Sequence, residues 1–186
     1  MTSNYLSCAD TAKLVRKALK EAFPSVKFSV RSHTYAGGAS IRVTWNDGPI
    51  QADVARVAEA FQGATFDGMT DYKGGIVHEL AGVETHFGAN FIFCDRTESD
   101  ALVDGARAAY GQLSPDERFA ILQESNAFTR CHSLRFRDEG VPLDDAALEC
   151  LGDDAGEVFR AIARITPLCQ SKGSATADSA VVMRTY

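Results

Sequence analysis

The chain has 186 residues, is 45% hydrophobic and 24% charged, and carries a net charge of −6. That is ordinary for a folded domain and long enough for one core, with or without an appendage. No apolar run approaches the roughly 18 residues that a membrane-spanning helix needs, which excludes a helical membrane protein.

The opening MTSNYLSCAD has neither a basic start nor an apolar stretch, so no secretory signal is expected and the protein is expected to stay in the cytoplasm. The five cysteines, Cys8, Cys94, Cys131, Cys150 and Cys169, are odd in number and scattered, with no CxxC pair. That pattern argues against a disulfide framework and against zinc, and for free thiols that behave as small apolar side chains.

A first helix is predicted from Ser7 or Asp10 to Phe23. Leu14, Val15, Ala18, Leu19, Ala22 and Phe23 form its apolar stripe, and Pro24 stops it. Lys13, Arg16, Lys17 and Lys20 lie on the other side at helical spacing. Such a face is either merely solvated or an anion-facing surface. A β-hairpin follows over residues 26–45. Val26, Phe28 and Val30 alternate with Lys27, Ser29 and Arg31, and Ile41, Val43 and Trp45 alternate with Ser40, Arg42 and Thr44. Period-two alternation is the strand signature, and Ala36-Gly37-Gly38-Ala39 supplies the reversal. The predicted pairing is residues 26–33 antiparallel to residues 39–45, with His33 on the polar face beside Arg31.

After the turn Asn46-Asp47-Gly48-Pro49, a second helix is expected over 51–61, with Gly63 as its stop. Residues 66–75, FDGMTDYKGG, have neither periodicity and read as a long loop of the kind that is often functional. A third strand is predicted over 84–95, with Phe87, Ala89, Phe91 and Phe93 facing the core. The expected fold is α+β: a small antiparallel sheet of about three strands with helices on one face, in the order α-β-β-α-β over residues 1–97. Phe28, Trp45, Phe61, Phe91 and Phe93 are expected in its core. A helical half is expected over 98–169, with a helix capped by Ser99, a capping box at Ser114-Pro115-Asp116-Glu117 opening a helix towards Ala127, and helices between 143 and 165 broken near Gly152-Asp153-Asp154. Residues 170–186 are small and polar and are expected to form a mobile tail.

The search for chemistry finds no catalytic constellation. His86 and Asn90 are about 13 Å apart along a strand, too far for one metal. His78-Glu79 is not HExxH, and Cys131-His132 has no nucleophile signature around it. Asp144-Asp145 and Asp153-Asp154 sit at helix starts, where the helix dipole accounts for them. Gly37-Gly38 and Gly74-Gly75 match no phosphate-binding loop. Asp67, Asp71 and Glu79 lack EF-hand spacing. A non-enzyme without cofactor or metal is expected.

Residues 1–45 carry Lys13, Arg16, Lys17, Lys20, Lys27, Arg31 and Arg42 against Asp10 and Glu21, a charge of +5 that leaves −11 for the remainder. Two cationic patches are predicted, because a helix covering one sheet face points its own charges away from the other. The helix patch holds Lys13, Arg16, Lys17 and Lys20. The sheet patch holds Lys27, Arg31, His33 and Arg42, next to the 66–75 loop with Asp67, Asp71, Tyr72 and Lys73, and is the better partner site because a sheet beside a loop can form a recess.

The helix ending in FP, the strand KFSVRS, the following YAGG-S-I-V-W pattern, the FDGMTDY segment and FGANFIFCDR occur in this order over residues 8–96. In this the chain resembles the large polyvalent protein-associated domain of type 29, a family of proteins carried by plasmids, phages and other mobile elements. The resemblance brings no catalytic residues with it and does not reach the second half. It implies a mobile-element cargo protein turned against host defence. Size, setting and the missing active site are similar in profile to anti-CRISPR proteins, so the implied partner is a subunit of a type I CRISPR effector complex, with guide RNA or DNA as further candidates and no membrane. Two alternatives remain: a nucleic-acid-binding accessory protein for plasmid establishment, or an enzyme with a site near residues 66–75.

Overall fold

The computed structural model describes residues 3–124 and 155–185. The chain divides into two compact units, Met1–Thr97 with Cys169–Tyr186, and Glu98–Leu168. In the first, strand β1 (Asn4–Leu6) leads into helix α1 (Cys8–Ala22). Ser7 caps α1 by accepting a hydrogen bond from the Asp10 amide, and the helix ends just before Pro24. Its buried stripe is Cys8, Thr11, Ala12, Val15, Ala18, Leu19 and Ala22.

Strands β2 (Ser29–Tyr35) and β3 (Gly38–Asn46) form the antiparallel hairpin, with Val30 opposite Val43 and Arg31 opposite Arg42. Gly37, at φ 89°, makes the reversal that an L side chain resists. Val26 and Phe28, expected inside the first strand, precede it and pack as half-buried residues against the core. Helix α2 (Gln51–Ala58) continues as a 3₁₀ turn, Glu59–Phe61.

Gly63 does not end α2 by a left-handed turn. A Cβ there would collide with the Phe87 carbonyl oxygen, so glycine is needed for backbone contact. Through that contact the Gly63 amide donates to the Ala89 carbonyl at 2.8 Å.

Three expectations for the next segment are corrected. Residues 66–75 are not a long loop but belong largely to two paired strands, β4 (Ala64–Asp67) and β5 (Tyr72–Leu80). The predicted strand over 84–95 is two strands, β6 (Val83–Phe87) and β7 (Phe91–Thr97), which lie in different sheets. The sheet formed with the hairpin is mixed, in the order β2-β3-β7, with β7 parallel to β3. A parallel neighbour requires a long crossover, and everything between Asn46 and Phe91 serves as one.

A further correction concerns which aromatics are buried. Phe87 and Ala89 face inward, but so do Ile92 and Cys94. The alternation therefore slips by one residue at the Gly88–Asn90 break. A one-residue slip sends every following side chain to the opposite face, which turns Phe93 out to 48% exposure and leaves Phe91 half-buried. The core holds Trp45 and Phe61 as expected, together with Phe23, Leu19, Ile41, Val43 and Val54.

The second sheet runs β1-β6-β5-β4, with β1 parallel to β6. Residues 170–186, expected to be a mobile tail, supply a short helix (Ala175–Asp178) and strand β8 (Ala180–Thr185), which pairs antiparallel with β5. The reason is specific anchorage. Both Glu21 carboxylate oxygens are engaged, accepting from the Ser174 hydroxyl at 2.9 Å, the Thr176 amide at 3.0 Å and the Thr176 hydroxyl at 2.8 Å, and Ala177 enters the core.

The second unit contains α3 (Asp100–Tyr110), capped by Ser99, then α4 (Pro115–Glu124) and α5 (Ala155–Ile165). At the expected capping box the Glu117 carboxylate reaches back to Ser114, accepting from its amide at 2.9 Å and from its hydroxyl at 2.6 Å. Leu102, Val103, Ala106, Tyr110, Val158, Phe159 and Ile162 form this unit's core. Ala127, the Cys131-His132 pair, Cys150 and the aspartate pairs at 144–145 and 153–154 lie outside the described residues.

Candidate functional site

Helix α1 packs on the inner face of the mixed sheet, against Val30, Ile41 and Val43. Alternation then places the odd-numbered residues of β2 and β7, and the even-numbered residues of β3, on the other face. Register sets them in rows. Arg31 lies opposite Arg42, which lies beside Phe93, and His33 lies opposite Ser40, which lies beside Phe91. His33 and Tyr35 stack at 6.0 Å, and Phe91 and Phe93 meet at 6.4 Å. Two aromatic pairs thus flank a strand that carries Arg42 and two hydroxyl side chains, Ser40 and Thr44.

The charges on this face do not balance. Arg42 donates to Asp95 at 2.9 Å, whereas Arg31 has no ion pair among the described residues. Like charges directly across an antiparallel pair destabilise it. An anion laid over Arg31 and Arg42 relieves that repulsion.

Of the residues predicted for the sheet patch, Arg31, His33 and Arg42 come together on this face. Lys27 lies at its edge, where Lys27, Phe28, Ser29, Thr44, Trp45 and Asn46 line a shallow recess of about 360 Å³. Lys73 reaches the hairpin turn, its ammonium 3.3 Å from the Gly37 carbonyl. Asp67 is occupied within its own turn, accepting from the Met69 amide and the Thr70 hydroxyl, which hold its carboxyl below the ordinary range. Asp71 sits in the same turn at φ 51°. Tyr72 projects from the β4–β5 hairpin with Phe66 and with Met69, which is 95% exposed.

The helix cations are largely committed elsewhere. Lys13 pairs with Asp10 at 2.7 Å, Lys17 lies 3.9 Å from Glu21, and Arg16 donates to the Val30 carbonyl at 2.6 Å. Lys20 is solvent-facing on the same helix.

Phe91, Phe93 and Tyr35 were missing from the sequence-derived site. The signal that marks them is the interruption Gly88-Ala89-Asn90 followed by the inward pair Ile92 and Cys94. His78 is buried beside Phe87, with ring centroids 4.7 Å apart. Burial pushes the thiols of Cys8 and Cys169 up and that of Cys94 to about 12, which leaves them poorly nucleophilic at neutral pH. Among the described residues no group of three or more His, Cys, Asp or Glu is placed to hold a metal ion, and no helix is long and apolar enough to cross a membrane.

The first unit is an α+β module whose mixed sheet is packed by helices on one face and carries arginines and aromatics on the other. The large polyvalent protein associated domain 29 matches residues 6–99, half of the chain, and the protein belongs to that family. Membership makes it a mobile-element-associated protein. No curated protein and no solved structure matches the chain.

Proposed function

We propose that this protein is an accessory protein of a mobile element that antagonises host defence as an anti-CRISPR inhibitor. It occupies a surface of a type I RNA-guided effector complex and carries out no chemistry of its own. The observation that supports a binding role is the open sheet face, where Arg31 and Arg42 stand directly opposed and, among the described residues, only Arg42 has a carboxylate partner. The host-defence part of the reading is supported by the family's association with mobile elements. Charge of this kind governs encounter and register, and the exposed aromatics supply the apolar centre that affinity needs.

The test is co-purification from a bacterium that expresses a type I effector complex, together with an interference assay against a targeted plasmid. The wild-type chain should recover the complex stoichiometrically and suppress interference. Arg31→Glu should lose both while keeping its unfolding midpoint. Lys13→Glu with Lys17→Glu should weaken capture only modestly, mainly through association rate and with strong salt dependence. Equal loss from both sets would point instead to a diffuse electrostatic grip. Recovery of bare DNA or RNA in place of an effector complex would replace this reading with the plasmid-establishment role.

A further inference from the structure

We infer that the open face of the mixed sheet is a platform for single-stranded RNA, on which bases stack against Phe91, Phe93 and the His33–Tyr35 pair while Arg31 and Arg42 take the phosphates. The inference rests on the reading above, that this face is the binding surface, and names the chemistry it grips. Three observations carry it.

The first is the exposure of aromatic rings on a sheet face that has a buried side of its own. Phe93 is 48% exposed and Tyr35 43% exposed, although the core beneath has ample apolar surface. Rings held on a rigid sheet lose little freedom when a base stacks on them, and stacking accepts any base. The second is spacing. Phe91 and His33 are separated by one strand, through Ser40, so the two aromatic sets are about 10 Å apart. That separation suits bases splayed from one strand. It does not suit a duplex, whose bases are already stacked on each other.

The third is charge. Arg31, next but one to His33 on its strand, and Arg42 on the central strand form a cross-strand row that ends at Phe93, and among the described residues its single carboxylate partner is Asp95 on Arg42. A phosphate over Arg31 supplies the missing counter-charge. Ser40 and Thr44, on the central strand of the same face, offer hydroxyl partners for ribose 2′-OH groups, which is the group that separates RNA from DNA.

The experiment is fluorescence anisotropy of labelled 12-nucleotide oligouridine with the full chain, alongside deoxyuridine of the same length and a 12-base-pair duplex. Oligouridine should bind, at least tenfold more tightly than either comparison, with affinity falling as salt rises. Phe93→Ala and Arg31→Ala should each lower affinity about tenfold. Lys20→Ala should change it less than twofold, and all three variants should keep the wild-type unfolding midpoint.

The inference is overturned if no single strand binds, if the duplex or the deoxyuridine strand binds as tightly, or if Phe93→Ala binds as wild type. Absence of RNA binding together with Arg31-dependent capture of an effector complex would sink this inference and leave the functional reading standing. RNA binding that depends on Phe93 and Arg31, without capture of any effector complex, would support the platform and remove the anti-CRISPR reading.

Discussion

His78 is 1% exposed, and its Nδ1 has no hydrogen-bond partner among the described residues. Burial, with a smaller contribution from the nearby His86, holds its pKa below the ordinary value near 6.5. The unfolded chain therefore takes up this proton at a higher pH than the folded chain does. Stability is full above about pH 6.5 and falls as the pH drops below it. Replacing His78 with Phe removes the orphaned polar atom and should flatten the pH dependence of urea unfolding between pH 7 and 5. An unchanged slope would mean another group is responsible. Buried and exposed rings should separate just as clearly. Phe61→Ala should cost about 3–5 kcal/mol. Phe93→Ala should stay within about 0.5 kcal/mol, as surface changes do. A large loss from Phe93→Ala would contradict its outward placement.

The hairpin between β5 and β6 turns on Ala81 and Gly82, both at positive φ, 53° and 79°. Paired positive-φ residues fit the two-residue turn whose twist matches that of the strands, and Asn-Gly is its preferred sequence. Alanine in the left-handed region costs roughly 1–2 kcal/mol. Ala81→Asn should therefore raise stability by up to about 1 kcal/mol, measured by the denaturation midpoint. This turn was not legible in the sequence, whereas helix capping was: Ser99 and the Ser114–Glu117 pair stand where local sequence placed them. The β4–β5 hairpin was not legible, because Gly68, Met69, Thr70 and Asp71 give no alternation and Gly74-Gly75 reads as loop. Pairing with β4 and β6, distant in energy terms from local propensity, makes those residues strand.

At the scale of the whole molecule, residues 169–186 belong with the first 97. Glu21 holds the start of the short C-terminal helix, and the hydrogen bonds from Thr176 and Ser174 depress its pKa. That contribution is present above the ordinary glutamate pKa and is lost as the pH falls through the lowered one. Deleting residues 174–186 should lower the midpoint of the first unit, leave Glu21 without these partners, and expose one side of β5 to intermolecular pairing. Size-exclusion chromatography and thermal unfolding of the truncated chain check both. Unchanged behaviour would mean that the strand adds nothing to the fold.

The sequence by itself determined the elements whose signal is local. These are α1, the β2–β3 hairpin with Arg31 and Arg42 on its polar face, α2, and helices in the part after residue 98. Each depends on periodicity and terminal residues within one window. The tertiary structure alone decided the direction of β7, the second sheet, the return of residues 175–185 to β5, and the outward turn of Phe93. Those outcomes depend on partners far away in the chain and on a one-residue slip at Gly88–Asn90. A hydrophobic pattern says that one face of a strand is buried. It does not say where the alternation breaks, and that break is what places the aromatics beside the arginines.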